Sequence, residues 1–195
     1  MTHKLIKKYI ELLLKWNAKL NLTAITKPAE IEVKHVEDSL ALLPYLDDAS
    51  SLLDLGAGAG FPGIPLAVYK PELRIVLLEA TRKKISFMQA AIRELSLSNA
   101  NAVCGRAENE ELQERLGKFD CVTSRATWEL KDFLPIASAY CSAKGRVVAM
   151  KSSKWQEELS AAAVVIDSLD LELCATHEYK LSNSDPRALL VFKHI

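Results

Sequence analysis

The sequence lacks the cysteine and histidine spacings that bind metals or build disulfide frameworks. Its four cysteines are far apart, with no C-x-x-C pair and no matching pair of histidines: Cys104, Cys121, Cys141 and Cys174. Zinc sites and small disulfide-rich folds need closely spaced ligands or thiols. We therefore expect no metal site and four reduced thiols buried in the protein interior.

An excess of charge of one sign and a long hydrophobic run are also missing. The 25 Lys and Arg residues balance the 25 Asp and Glu residues, so any contact with nucleic acid has to use local clusters. No apolar run approaches the length that spans a membrane, and the first residues have no apolar segment typical of a secretion signal. We expect a soluble, cytoplasmic monomer without membrane contact.

Glycine is scarce, and four of the seven glycines lie within residues 56–63. This stretch follows the apolar run Leu52–Leu55 and precedes a helical pattern, which predicts a strand, a tight loop and a helix start. Gly56, Gly58 and Gly60 allow positive φ angles and a close approach to a ligand, and the helix start offers free N–H groups. A nucleotide-like cofactor is the expected ligand.

The glycines alone do not decide which cofactor binds, because Gly58, Gly60 and Gly63 also fit the G-x-G-x-x-G pattern of dinucleotide-binding proteins. Asp54, two residues before the first glycine, favours S-adenosylmethionine, whose ammonium group a carboxylate can receive directly or through water. Glu79, at the end of the second predicted strand, suits the ribose hydroxyls of either cofactor. A nicotinamide-dependent oxidoreductase and a non-catalytic adenine-nucleotide-binding module stay open as alternatives.

Short apolar runs alternate with helical patterns along the chain. Strands are predicted at 51–55, 74–78, 101–104, 119–123, 145–150, 171–179 and 187–193, and helices from about 62 and over about 81–95, 108–116 and 154–168. This alternation is typical of a doubly wound α/β sheet that binds ligands at the carboxyl ends of its strands. We expect a single domain, residues 1–195, made of a helical cap (1–48) and a cofactor-binding α/β core (49–195).

Two helices are predicted ahead of the first strand. The first carries apolar residues at helical spacing from Leu5 to Leu20, with lysines at the other positions. Such a basic amphipathic helix either exposes a solvated charged face or contacts phosphate. The second runs from about Pro28 to Leu43. We expect both helices to cover the ligand site.

The segment after the fourth strand faces the transferred group in methyltransferases of this fold, and here it reads Val122-Thr123-Ser124-Arg125-Ala126. It lacks the Asp or Asn followed by two prolines that holds an exocyclic amine, and no cysteine stands where pyrimidine C5 methylation needs a nucleophile. An acceptor with a free lone pair, such as a ring nitrogen, needs only positioning and electrostatic stabilisation. We assign no general base.

Several short stretches together resemble the bacterial small-subunit ribosomal RNA guanine-N7 methyltransferase family over nearly the whole chain. They are Lys15-Trp16-Asn17, Asn21-Leu22-Thr23, His35 with Asp38-Ser39, Asp54 to Leu66, Arg106-Ala107-Glu108 and Ser124-Arg125-Ala126. The resemblance implies a Rossmann-like class I S-adenosylmethionine-dependent methyltransferase with an N-terminal helical extension. It implies methylation of N7 of a guanine in 16S ribosomal RNA, either free or in the small ribosomal subunit. Methylation of a small molecule or a protein stays an alternative.

The resemblance also implies roles for individual residues. It places contacts to S-adenosylmethionine at Gly56, Phe61, Ala107, Glu108 and Arg125, and Arg125 is predicted to orient the reactants. Candidate contacts to RNA are His35, Asp38, Lys151 and Arg187. The sequence departs from the family at Ser152, where glycine is common, and at Lys34, where arginine often precedes the histidine. Both departures lie on the predicted substrate side.

Overall fold

The computed structural model describes all 195 residues and contains one seven-stranded sheet. Its strands are β1 (Ser51–Leu55), β2 (Arg74–Glu79), β3 (Ala100–Cys104), β4 (Phe119–Arg125), β5 (Cys141–Lys151), β6 (Leu171–Lys180) and β7 (Pro186–His194). All seven predicted strands are thus confirmed. Their order across the sheet is β3-β2-β1-β4-β5-β7-β6, with the first five parallel and the last two antiparallel to their neighbours. The order reverses between β1 and β4, where α/β sheets bind ligands.

Helices cover both faces of the sheet. They are α1 (Thr2–Leu20), α2 (Pro28–Ile31), α3 (Asp38–Leu40), α4 (Gly63–Tyr69), α5 (Arg82–Glu94), α6 (Glu110–Leu116), α7 (Leu130–Tyr140), α8 (Trp155–Ala161) and α9 (Ala163–Ser168).

Two predicted helices are not continuous. A π-helical segment, Glu32–Glu37, joins α2 to α3, so the prediction of one regular helix from Pro28 to Leu43 is wrong. A π segment inserts one residue into the hydrogen-bond ladder and rotates the side chains that follow. The helix predicted over about 154–168 is two helices separated at Ala162, whose φ of −93° and ψ of −4° lie at the edge of the helical region.

Helix α7, Leu130–Tyr140, connects β4 to β5 and was not predicted. Pro135 lies inside it and cannot donate a hydrogen bond to the carbonyl four residues earlier. Packing compensates for that loss, because one face of α7 is buried against the sheet through Leu130, Phe133, Leu134 and Ala137.

Two hydrophobic cores lie on opposite faces of the sheet. Alternate residues of β1 supply them, since Leu52 belongs to one core and Leu53 to the other. The first core includes Tyr9 and Leu13 of α1, so α1 is part of the packed body of the protein. Within the predicted cap, the stretch Glu32–Leu40 is the part that reaches Arg125 at the end of β4.

The cysteines differ in exposure. Cys121 and Cys141 are buried, but Cys104 and Cys174 are exposed, so the prediction of four buried thiols is wrong. The exposed pair lies on β3 and β6, the two edge strands of the sheet. None of the helices has both the length and the apolar character needed to cross a membrane.

Candidate active site

The glycine-rich loop follows β1 at the carboxyl edge of the sheet and leads into α4. Gly56, Gly58 and Gly60 have φ angles of +65°, +60° and +91°, left-handed values that residues with side chains rarely adopt. A Cβ atom at Gly56 would also lie 2.7 Å from Cγ2 of Thr127, in the loop after β4. A side chain at Gly56 would therefore be strained by its φ and would force Thr127 to shift.

Glu79, the last residue of β2, fixes this loop from the neighbouring strand. Its Oε2 accepts a hydrogen bond from the Gly58 amide at 3.1 Å, and its Oε1 accepts one from the Thr81 amide at 2.9 Å. Burial raises the pKa of Glu79, but these amides and the Lys84 ammonium outweigh it and hold the pKa below its usual value. Glu79 is therefore a carboxylate at neutral pH, with lone pairs left for ligand hydroxyls.

Asp54 lies beneath the loop and has no exposed surface. Its Oδ2 accepts a hydrogen bond from the Gly63 amide at 2.9 Å, whereas its Oδ1 has no partner. Burial raises the pKa of Asp54 to about 7, against the lowering effects of the Gly63 amide and the Arg125 charge. The buried Asp54 thus keeps one free acceptor, Oδ1, below the glycine loop.

A cavity of about 380 Å³ opens at the carboxyl ends of β1, β2 and β3. Four of the predicted cofactor residues line it: Gly56, Glu79, Ala107 and Glu108. Lys84, Thr127 and Trp128 also line the cavity and were not predicted. No local motif marks them, because their place in the wall depends on how the loops after β2 and β4 pack together.

The wall at Ala107 is fixed from two sides. The hydroxyl of Tyr140, in α7, donates a hydrogen bond to the Ala107 carbonyl at 3.0 Å. The side-chain amide of Gln113, in α6, donates to the same carbonyl at 3.1 Å. The unpredicted helix α7 thus supports the cavity directly.

Arg125, at the end of β4, is held by the segment Glu32–Leu40. Its Nη1 donates to the Lys34 carbonyl at 2.9 Å and lies 3.3 Å from Oδ2 of Asp38. Its guanidinium carbon lies 5.2 Å from the centre of the Phe61 ring, a cation–π distance. The side chain is 16% exposed, so the protein orients it while part of it stays open to a ligand.

Asp38 is the acceptor at the centre of this cluster and is only 3% exposed. Its Oδ1 accepts a hydrogen bond from the Tyr179 hydroxyl at 2.7 Å and lies 3.6 Å from Nε of Arg187. Burial and the Asp38 charge both raise the pKa of Tyr179, so Tyr179 remains a protonated donor. The carboxylate predicted to contact RNA is thus turned into the protein.

His35 packs against the Phe61 ring, with ring centres 4.6 Å apart. Its Nδ1 lies 3.2 Å from the Lys34 carbonyl, which can only accept, so Nδ1 carries the proton and Nε2 accepts from the Thr23 hydroxyl at 3.1 Å. Burial, and to a smaller extent the Arg125 charge, lower the pKa of His35 to about 4. His35 is therefore neutral at pH 7, with both ring nitrogens bonded within the chain.

The turn after α1 supplies Thr23, the partner of His35. The Asn17 side chain donates to the Thr23 carbonyl at 3.0 Å and accepts from the Thr23 amide at 2.9 Å. This pair closes the turn after α1, where Asn21 has φ +50°. The stretches around Asn17, Thr23 and His35 thus form one chain of contacts that ends on Phe61.

A second cavity, of about 290 Å³, lies beside the first. Arg125 and Ser152 line this cavity. So do the four residues predicted to contact RNA: His35, Asp38, Lys151 and Arg187. Ala126, with φ +55°, lines both cavities. The two cavities therefore meet at the residue that follows Arg125.

Lys151 is less available than its charge suggests. It is 8% exposed, and its Nζ donates to the Trp128 carbonyl at 2.8 Å and to Oε2 of Glu158 at 2.6 Å. Arg187 keeps more surface, with 22% of its side chain exposed.

The structure thus separates the predicted cofactor residues into three groups. One group lines the first cavity, and Arg125 lines the second. The remaining residues support the loop from below or form its backbone: Asp54, Gly58, Gly60 and Phe61. Tyr179, which was not predicted, is 141 residues away from Asp38 along the chain, and no local pattern signals such a contact.

Comparison with known proteins gives a consistent family match. The family described as GidB, rRNA small subunit methyltransferase G, matches residues 2–184. Ribosomal RNA small subunit methyltransferase G of Myxococcus xanthus is 43% identical over 170 residues, which cover 87% of this chain and 77% of that protein. The protein of the same name from a Geobacter species is 40% identical over 184 residues, which cover 94% and 84%.

Solved structures support the fold. TYW2 of M. jannaschii, solved in complex with AdoMet, superposes with a TM-score of 0.65 at 15% identity, over 83% of this chain and 76% of that chain. A precorrin-6y C5,15-methyltransferase of Geobacter metallireducens superposes with a TM-score of 0.60 at 17% identity, over 82% and 87%. At these identities the likeness concerns the fold alone, which is that of class I S-adenosylmethionine-dependent methyltransferases.

Proposed function

The chain belongs to the rRNA small subunit methyltransferase G family, and we propose that it transfers a methyl group from S-adenosylmethionine to N7 of a guanine in 16S ribosomal RNA. The observation that carries this proposal is the pair of cavities that meet at Ala126. One provides a carboxylate and backbone groups for a nucleoside cofactor, and the other provides cations for an anionic substrate. We propose that residues 1–195 act as one methyltransferase domain, as a monomer in the cytoplasm, where ribosomal RNA is found.

The residues of the first cavity fit S-adenosylmethionine. Its volume of about 380 Å³ lies in the range of small-molecule sites. The ionised Glu79 would accept the ribose hydroxyls, and the backbone of Gly56 and the groups at Ala107 and Glu108 would hold the rest of the nucleoside and the methionine part. Asp54, whose Oδ1 has no partner, would receive the ammonium through water.

The residues of the second cavity fit an acceptor that needs no proton removed. When bound, S-adenosylmethionine supplies a methyl group on a sulfonium centre, and N7 of guanine has a lone pair to bond it. Here His35 has both ring nitrogens bonded and Asp38 is paired with Arg125. Neither side chain is placed as a general base, so the chain's contribution is positioning and electrostatic stabilisation.

Arg125 is the residue that orients the reactants. Its guanidinium cannot accept a proton at neutral pH, and it presents planar donors at the junction of the cavities. Arg187, with exposed surface, and Lys151, at the cavity wall, are the proposed contacts to RNA. His35 and Asp38 act on RNA indirectly, through Phe61 and Arg125.

The test is to incubate the protein with S-adenosylmethionine and small ribosomal subunits from cells that lack this enzyme, and to identify the methylated nucleoside by mass spectrometry. The proposal predicts 7-methylguanosine at a single site in 16S RNA. Calorimetry should show binding of S-adenosylhomocysteine and none of nicotinamide dinucleotide. A methylated protein or small molecule, with unmodified RNA, would contradict the proposal.

A further inference from the structure

We propose that a basic surface at the end of α1 and the start of α5 binds the phosphate backbone of the RNA substrate beside the active site, an inference that rests on the proposed function. This α1/α5 surface consists of Lys15, Trp16, Lys19, Arg82 and Lys83. Its four cations are exposed, and none of them forms an ion pair. They concentrate uncompensated positive charge in a chain whose net charge is zero.

The packing of α1 against α5 brings these residues together. Lys8 pairs with Glu94, the last residue of α5, at 3.3 Å. Eight residues further along α1, the ring centre of Trp16 lies 5.8 Å from that of Phe87, in the first half of α5. The two helices are therefore antiparallel, and one more turn of α1 places Lys19 toward the first turn of α5.

The α1/α5 surface borders the first cavity. Helix α5 begins three residues after Glu79, so its first turn lies at the carboxyl edge of the sheet. Lys84, in that turn, lines the cavity and lies 3.5 Å from Glu79. Lys83, its neighbour, is exposed to solvent. A polyanion bound on this surface would therefore reach the mouth of the site.

The cations at the start of α5 lie where the helix dipole is unfavourable for positive charge. Its first turn has no acidic residue and three cations, Arg82, Lys83 and Lys84, although the helix dipole disfavours cations there. Helix α6, in contrast, begins with Glu110 and Glu111. A cationic first turn costs stability, which an anionic partner would offset by binding.

The part of the surface on α1 also contains a depression that can hold a nucleobase. Lys15, Trp16, Lys19 and Leu20 line a depression of about 310 Å³. An aromatic ring flanked by cations is the combination that single-stranded nucleic acid uses, with bases stacked on the ring and phosphates near the charges. The surface therefore fits RNA better than a uniformly charged patch would.

The test compares two double charge reversals on the same helix. Lys15→Glu/Lys19→Glu alters the α1/α5 surface, and Lys4→Glu/Lys7→Glu makes the same charge change about 17 Å away along α1. We measure methyl transfer to unmodified small subunits and the salt dependence of binding to protein-free 16S RNA. The first variant should raise KM for the subunits roughly tenfold or more, leave kcat unchanged, and reduce the slope of log affinity against log salt by about 1.5, as expected for two lost phosphate contacts. The second should behave like the parent.

A neutral variant, Lys15→Gln/Lys19→Gln, guards against misfolding and should show a smaller change in the same direction. An unaltered KM and salt slope in the first variant, or an equal loss in the Lys4/Lys7 control, would overturn the proposal. So would weaker binding to subunits with unchanged binding to free RNA, since a ribosomal protein would then be the partner. If the parent methylates no RNA, the proposed function fails separately, and the salt slope still tests the surface.

Discussion

Asp38 connects Arg125 to the C-terminal strands. Its two carboxylate oxygens face Arg125 on one side and Tyr179 and Arg187 on the other, and almost none of its surface is exposed. Asp38 thus links Arg125, which lies beside the junction of the two cavities, to strands β6 and β7. We interpret Asp38 as a positioning residue for Arg125.

Asp38→Asn tests this interpretation because it removes the charge and keeps the shape. Loss of one charge-assisted bond corresponds to about 1.5–3 kcal/mol, so we expect kcat for methyl transfer to fall at least tenfold with KM for RNA nearly unchanged. Tyr179→Phe is the matched control: it removes a donor to Asp38 without touching Arg125, and should lower stability by about 1.5–3 kcal/mol with a smaller effect on kcat. A higher KM with unchanged kcat in Asp38→Asn would instead support the direct RNA contact predicted from sequence.

His35 makes the stability of the fold depend on pH. Its folded-state pKa of about 4 lies below the unfolded value of about 6.5, so the unfolded state binds more protons as pH falls. The stabilisation is fully present above pH 6.5 and is lost as pH falls through 4. Between pH 7 and pH 5, the parent should lose about 2 kcal/mol relative to His35→Gln.

Urea unfolding of both proteins at the two pH values gives this difference directly. The subtraction is necessary because Asp54 acts in the opposite direction: its raised pKa of about 7 gives stability that is present at low pH and lost as pH rises through 7. A constant difference between parent and His35→Gln would show that His35 is not held neutral by the fold.

Helix α5 carries positive charges in its first turn that lower its own stability. The cations of its first turn oppose the helix dipole, and Thr81 caps the helix without a side-chain hydrogen bond. Replacing Lys83 by glutamate exchanges an unfavourable charge for a favourable one. We expect Lys83→Glu to stabilise the protein by about 1 kcal/mol in urea unfolding and to weaken RNA binding.

Lys83→Gln is the control for that substitution and should show about half of the gain in stability. Because Lys83 is exposed and unpaired, neither change disturbs packing. If Lys83→Glu is less stable than the parent, Lys83 has a structural partner that this account does not contain.

The sheet of the whole molecule could be predicted because short stretches of sequence identify each strand by themselves. Runs such as Leu52–Leu55, interrupted only by Asp54, and Ile75–Leu78 are short, mostly apolar and bounded by turn residues, which is enough to identify buried parallel strands. The glycine loop was equally legible, since positive φ restricts residue choice at Gly56 and Gly58. These features place the site at the correct edge of the sheet.

The rest of the site depends on contacts between distant residues. Nothing local shows that Asp38 meets Tyr179, that Lys151 is paired with Glu158, or that the ladder slips into a π segment at Glu32–Glu37. The sequence identifies which side chains are charged. Burial and pairing within the fold decide which of those charges can still contact a ligand or RNA. Helix α7 was missed because packing of its apolar face outweighs the local penalty of Pro135.

In our proposal, the residues of the two cavities promote methyl transfer to a lone-pair nitrogen by positioning the cofactor and the RNA, without a general base. Single-turnover methyl transfer at saturating S-adenosylmethionine and small subunits, measured from pH 6 to pH 8, tests it most directly. We predict a rate that does not change with pH, because His35 is already neutral, the Arg125 guanidinium stays charged, and saturating S-adenosylmethionine removes the effect on cofactor binding of Asp54, whose pKa is about 7. Arg125→Lys should give an equally flat profile at a rate at least tenfold lower, since lysine lacks the planar fork. A rate that rises tenfold per pH unit would contradict the account, because it would require a base that must lose its proton before transfer.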